Sequence, residues 1–246
     1  MTSAKELHVA PISQKNAAAL VRKIHYSKKT TQNSQIHLGV FLNNKLEGVM
    51  QFGPSIDKRR MLGLVKGTKW NEFIELNRMA FSEQLPKNSE SRALSVAIKI
   101  MRKTYPHIKW IVSFADGTQC GDGTIYRASG FLLTAIKPNS TMLRMPDGSV
   151  VADKTLNDHP VKNTKYWKTR GAVPLPGFQL RYLYFLHKKE IENLTVPIVP
   201  FYKIDEVGAA MYRGEKREKQ AMASFPEAQR QGGTDLHAPK LKSLHG

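Results

Sequence analysis

The chain has 246 residues, 41% of them hydrophobic, enough for one sizeable domain core. A formal charge of +18 and an isoelectric point near 10.0 lie far outside ordinary globular balance and point to a polyanionic partner, DNA or RNA ahead of an anionic membrane surface. The single cysteine, Cys120, excludes an intramolecular disulfide framework and a cysteine-cluster zinc site; no apolar run reaches membrane-spanning length and no apolar signal core opens the chain, so an intracellular protein is expected.

In chain order, residues 1–12 read as a loose lead-in. Ser13 is placed to cap a helix over 16–24, with Leu20, Val21 and Ile24 on one apolar face. A polar segment follows, His25-Tyr26-Ser27 and on to Thr31. Two β-rich runs, 37–42 and 46–52, flank Asn43-Asn44-Lys45 and read as a hairpin. Gly53-Pro54 ends the second run, and the basic residues 55–70 read as a long loop. Residues 73–81 alternate as a central strand should, with Asn77 and Arg78 near its end. Pro86 breaks the chain, and Asn88, Ser89 and Ser91 supply caps for a helix over 92–102 that stops before Pro106.

The stretch 109–131 carries most of the chemistry. An apolar run, 110–114, gives way to a small polar connection holding Asp116 and Asp122, then to a short helical pattern with Tyr126 that closes at Gly130-Phe131. A buried strand that delivers a carboxylate to its C-terminal end, beside a helix N-terminus, is where open α/β sheets place ligand chemistry. Asp116 and Tyr126 are the first site candidates, although an Asp-Gly pair is also ordinary turn chemistry, which is the preferred reading of Asp122. Further on, 132–136 and 141–145 read as a strand pair, 153–177 as irregular and basic, and 179–186 as a strong strand. Within the basic region, Lys162, Lys165, Tyr166, Trp167, Lys168 and Arg170 combine phosphate-contacting cations with rings able to stack on or wedge between bases. Lys58, Arg59, Arg60, Lys66 and Lys69 extend that surface. The order of elements predicts an α/β fold over 1–204, with a mixed central sheet flanked by helices, and a basic tail over 205–246.

That order, and the segment Thr124-Ile125-Tyr126-Arg127-Ala128-Ser129-Gly130-Phe131, resembles the GCN5-related N-acetyltransferases, in which a tyrosine at this place often protonates the departing thiolate. A narrower set resembles the Mom family of phage DNA-modification proteins. It comprises His25-Tyr26-Ser27, Glu75-Leu76-Asn77-Arg78, Asn88-Ser89-Glu90-Ser91-Arg92, Ser113-Phe114-Ala115-Asp116-Gly117 and Gly123-Thr124-Ile125-Tyr126, over roughly residues 15–190. The resemblance implies a transferase that converts adenine N6 in double-stranded DNA to N6-(methylcarbamoyl)adenine, shields phage DNA from restriction and works in the host cytoplasm. It places His25, Tyr26, Asp116 and Tyr126 at functional positions, and brings in iron, for which no metal-ligand spacing is visible here. Ser91 and Arg92, at the start of a helix, and Asn77 and Arg78, at a strand end, are the candidates for holding a donor. The Gly-rich pyrophosphate loop usual in the GCN5-related acetyltransferases is replaced by Pro86-Lys87-Asn88-Ser89-Glu90-Ser91, so acetyl-CoA stands beside a glycine-derived or aminoacyl-tRNA donor. Two other readings stay open: an inert nucleic-acid-binding protein on the same scaffold, and an N-acetyltransferase acting on a protein or small amine.

Overall fold

The structure, a computed structural model, describes residues 3–25, 27–118, 121–157, 159–212 and 215–216. Its frame is one eight-stranded mixed sheet with helices on both faces, its strands in the spatial order β1 (His8–Pro11), β2 (Ile36–Leu42), β3 (Lys45–Gly53), β4 (Phe73–Phe81), β5 (Trp110–Asp116), β8 (Val173–Phe185), β6 (Leu132–Arg144) and β7 (Val150–Ala152). The lead-in is not loose: β1 (His8–Pro11) pairs antiparallel with β2 (Ile36–Leu42) and forms one edge. Ser13 caps α1 (Gln14–Ile24) as expected, accepting from the Asn16 amide at 3.2 Å. Ala17 and Val21 of that helix pack on Val49 and Ala80. The hairpin of β2 and β3 (Lys45–Gly53) turns on Asn43 and Asn44, both at positive φ, as a two-residue turn matched to strand twist requires.

β4 (Phe73–Phe81) lies antiparallel to β3 and parallel to β5 (Trp110–Asp116). That parallel ladder is short. It joins Phe73 to Trp110, Ile74 to Ile111 and Glu75 to Val112, and beyond those pairs the two strands part. At its closed end, Lys109 forms ion pairs with Glu72 at 3.0 Å and Glu190 at 3.3 Å, and the Phe73 and Trp110 rings stack 4.4 Å apart. The crossover between the strands is α3 (Ser89–Thr104), which buries Ala93, Leu94, Ala97, Ile98 and Met101 at helical spacing against Ile111 and Ala115. Alternation along β5 sends Trp110 and Val112 to the opposite face, into a second cluster with Met61 and Leu183.

Several stretches differ from the sequence expectation. The supposed loop 55–70 contains α2 (Lys58–Leu62), started by Asp57, whose carboxylate accepts from the Arg60 amide. After α4 (Thr124–Ala128), the anticipated strand pair is one strand, β6 (Leu132–Arg144), with register shifts at Leu133/Ala135 and Asn139/Met142. It pairs with β7 (Val150–Ala152). The basic region 153–177 holds α5 (Asp153–Asn157) and α6 (Thr164–Lys168), and β8 (Val173–Phe185) starts before 179. α7 (Lys203–Glu206) and the pair β9 (Met211–Tyr212) and β10 (Glu215–Lys216) belong to a compact unit spanning Met1–Lys216. The remainder of the expected tail lies outside the described residues. Among the described residues, no helix is long and apolar enough to cross a membrane.

Candidate active site

Where β4 and β5 part, a cavity of about 410 Å³ opens on the α2 face of the sheet. Asp116 at the end of β5 lines it, together with Glu75, Asn77 and Arg78 of β4 and Arg181 of β8. Because the β4–β5 ladder stops at Glu75 and Val112, side chains from the middle of β4 and the end of β5 face one gap. One Asp116 oxygen accepts from the Thr118 amide at 3.0 Å, which folds the Asp-Gly turn back and fixes the carboxylate at the strand end.

Arg78 donates to the Lys29 carbonyl at 3.2 Å and to the Asn77 carbonyl at 2.8 Å, drawing the segment after α1 over the end of β4. His25 lies within the field of this guanidinium. Burial, reinforced by the Arg78 charge, pushes the imidazole pKa from 6.5 down to about 4, so His25 is neutral at pH 7. Its Nδ1 is 2.8 Å from the Ser27 hydroxyl and accepts from the Ser27 amide at 3.1 Å. A neutral imidazole accepts a proton but does not supply one at that pH. Tyr26 lies outside the described residues, as does Cys120.

Asn77, expected to contact a donor, is almost fully buried and holds the scaffold together: its Oδ1 accepts from Ser34 at 3.2 Å and its Nδ2 donates to the Pro54 carbonyl at 3.5 Å. Glu75, beside it, has its pKa raised by burial, partly offset by Ser55, Asn77 and Arg78.

Tyr126 is not on this face. It sits on α4 in the cluster packed under Ile111 and Ala115, with its ring 5.4 Å from Phe131 and 5.2 Å from Tyr182. The loop before it is anchored by Asp122, which accepts from the Thr124 amide and hydroxyl and pairs with Arg127 at 3.1 Å; the turn reading of Asp122 holds. Tyr182, fully buried, donates to the Asp122 carbonyl at 2.5 Å. Gly123 must be glycine: its φ is +81°, and a Cβ would stand 2.5 Å from the Tyr182 ring.

A second groove, about 420 Å³, runs between the start of α3 and α4 and is lined by Asn88, Ser91, Thr124 and Ile125. The expected caps do not act as caps. Asn88 takes the left-handed conformation without a side-chain bond to the helix, while Ser89 and Ser91 donate to the carbonyls of Pro86 and Asn88. Ser91 lines the groove; Arg92 is exposed and does not. The four donor-holding candidates are thus divided between two places. Among the described residues, no group of three or more His, Cys, Asp or Glu side chains converges as a metal set that would fit iron.

In the basic segment, Asn163 caps α6 and the Arg170 guanidinium lies 3.7 Å over the Tyr166 ring. Trp167 packs against the small core of Leu143, Met145, Leu156 and Ala172, which makes it an anchor for α6. Lys162, Lys165, Lys168 and Arg170 are exposed. Sequence reading missed Arg181; the available signal was a lone arginine in an apolar strand, on the same alternation as Gln179.

Comparison with known proteins adds family to geometry. Residues 6–203 match the Mom protein family. The chain is 42% identical over 199 residues to "Methylcarbamoylase mom" of Escherichia phage Mu, covering 79% of this chain and 81% of that protein. Similar solved structures include a Bacillus subtilis acetyltransferase in complex with CoA, at 13% identity and a TM-score of 0.42, covering 73% of this chain and 97% of that one. The ribosomal-protein-S18-alanine N-acetyltransferase of Escherichia coli is similar at 10% identity and a TM-score of 0.43, covering 73% and 94%. With four-fifths of its length matched by one family and a relative of this identity, the chain belongs to the Mom protein family.

Proposed function

We propose that this chain is a DNA-modifying transferase that converts adenine N6 to N6-(methylcarbamoyl)adenine in phage DNA, in the host cytoplasm, and so protects that DNA from restriction. The observation that carries this reading is the 42% identity to a methylcarbamoylase over most of both chains. The charge of +18 supports a polyanionic substrate.

The lone pair of the adenine amine is delocalised into the ring, so a base must take a proton from N6 as the new bond forms. Asp116 fills that role: it is a carboxylate held at a strand end in a cavity open to a substrate. His25, neutral and beside Arg78, is the second acceptor. Tyr126, packed against Phe131 and Tyr182 on the other face of the sheet, holds α4 to the core and stands away from the reacting amine. A base inside a duplex cannot present N6 to this cavity, so the target adenine is turned out of the stack. The basic residues around α6 hold the opened duplex. The donor is a glycine-derived group, supplied free or on a tRNA, because the product carries a methylene and a terminal amide that acetyl transfer alone does not provide. Label from glycine, absent with labelled acetate, tests this last point.

The activity itself is tested by digesting DNA from cells that express the chain and analysing the nucleosides by mass spectrometry. A modified deoxyadenosine heavier by the methylcarbamoyl group is expected. Only ordinary deoxyadenosine, with soluble protein present, would leave a DNA-binding protein without this chemistry.

A further inference from the structure

Arg181 is 9% exposed and lines the Asp116 cavity, yet it forms no ion pair with a described carboxylate. An arginine stays charged even when burial opposes it, and burial together with the Arg60 charge does press its pKa downward. The fold holds this guanidinium in one orientation. Opposite Arg181, β6 shifts register at Thr134, and this bulge turns both polar groups of that residue toward the arginine. Arg181 Nε donates to the Thr134 hydroxyl at 3.0 Å and Nη2 to the Thr134 carbonyl at 3.2 Å. The Thr134 hydroxyl donates in turn to the Arg181 carbonyl at 3.2 Å.

Those bonds use two of the five N–H donors of the fork, and no other goes to a described residue. Arg60, Lys137 and Arg78 line the same cavity and are likewise without a described acidic partner within ion-pair distance. Of the three acids that line the cavity, Asp57 is spent on starting α2, Asp116 is turned toward Thr118, and Glu75 is buried and hydrogen-bonded to Ser55 and Asn77. A planar fork clamped along one edge, with further cations around it, is the arrangement that receives a carboxylate or phosphate in bidentate fashion.

We propose that the Asp116 cavity contains an oxyanion subsite centred on Arg181, with Arg60 and Lys137 at its rim, which takes a phosphate or carboxylate group of a substrate. The subsite deepens the transferase reading and rests on it for biological purpose, but its occupancy is a separate, measurable property. Two sources carry the chemistry: the phosphate flanking the target adenine, and the acidic end of a small donor.

The test is calorimetric titration of the full chain at low chloride with inorganic phosphate, deoxyadenosine 5′-monophosphate, deoxyadenosine and acetate. At least one of the three anions is expected to bind, and uncharged deoxyadenosine to bind more weakly than its monophosphate. Tighter binding of the monophosphate than of acetate assigns the site to the nucleic-acid phosphate; the reverse assigns it to a donor carboxylate. Arg181→Gln is expected to weaken the best anion roughly ten- to a hundredfold, as loss of charge-assisted hydrogen bonds does. If Arg181→Gln fails to fold, Arg60→Gln and Lys137→Gln each give a loss of about two- to fivefold. No anion binding by the parent chain overturns the proposal, as does parental affinity in folded Arg181→Gln or in both rim variants. The titration reads binding alone. It can therefore fail while modified adenine is still produced, or succeed where none is.

Discussion

Acidification isolates the energetics of one site residue, because His25 is buried neutral while the unfolded chain leaves it free to protonate. Its pKa is about 4 folded against 6.5 ordinarily. Above pH 6.5 both states are neutral and His25 adds no pH dependence. As pH falls below 6.5 the unfolded state gains a proton that the folded state refuses, so stability is lost until the folded group also titrates near pH 4. The 2.5-unit gap is worth about 3.4 kcal/mol in full. Linkage places about 2 kcal/mol of that loss between pH 7 and pH 5. This is a large part of an ordinary domain stability of about 5–15 kcal/mol. Urea denaturation of the parent chain and His25→Gln at pH 7, 6 and 5 measures it. The glutamine chain starts lower, having lost the imidazole contact to Ser27, but its stability falls by about 2 kcal/mol less over the interval. Equal losses in the two chains, or an imidazole resonance for His25 titrating near 6.5, would refute the assignment.

Asp116→Asn preserves the acceptor for the Thr118 amide but not the base, so modified adenine should fall by roughly a hundredfold or more with the melting temperature nearly unchanged. Tyr182→Phe leaves the Asp122 carbonyl without its donor and should cost about 1–3 kcal/mol, seen as a lowered melting temperature. Burial raises the Tyr182 pKa, so the unfolded parent ionises first and the gap between parent and Tyr182→Phe should narrow above about pH 10. Gly177→Ala puts a Cβ 2.0 Å from the Thr118 hydroxyl and should destabilise by about 1–3 kcal/mol; adding Thr118→Gly should recover most of it in the same melt. Removing a phosphate-contacting charge at Lys162, Lys165 or Lys168 should reduce the slope of log affinity against log salt by about 0.9 per contact, and an unchanged slope removes that lysine from the interface.

Periodicity made the centre of this fold legible. The hairpin, β4, α3, β5 and α4 each carry their own pattern and turn chemistry, and Asp116 stands at a strand end in any register. What escaped was structure borrowed from neighbours. β1 has four residues and a buried valine; only β2 makes it a strand. The first half of β8, Val173-Pro174-Leu175-Pro176-Gly177, reads as a loop because of its prolines, which are tolerated where β5 has already ended and one side of the strand is unpaired. Arg181 lies in a run legible only as a strong strand, since nothing local says that α2 covers that face. The likeness of Asp116 and Tyr126 as neighbours in sequence also misled, because strand parity and the Asp122 loop set them on opposite faces.

The Lys109 clasp gives the sheet a gradient of stiffness. Three ladder pairs, the Lys109–Glu72 ion pair and a stacked ring pair bind β4 to β5 at one end, and the Lys109–Glu190 pair ties that end to the turn Lys188–Asn193, while the stretches bearing Arg78 and Asp116 share no ladder bonds with each other. Deformation between the two strands therefore concentrates at the cavity end, as in a spring held at its root. The two strand tips can yield to a bulky base while the core behind them keeps its shape. Loosening the clasp, by Lys109→Met, would spread that compliance into the interior and blur the spacing between Arg78 and Asp116 from a point well behind the cavity.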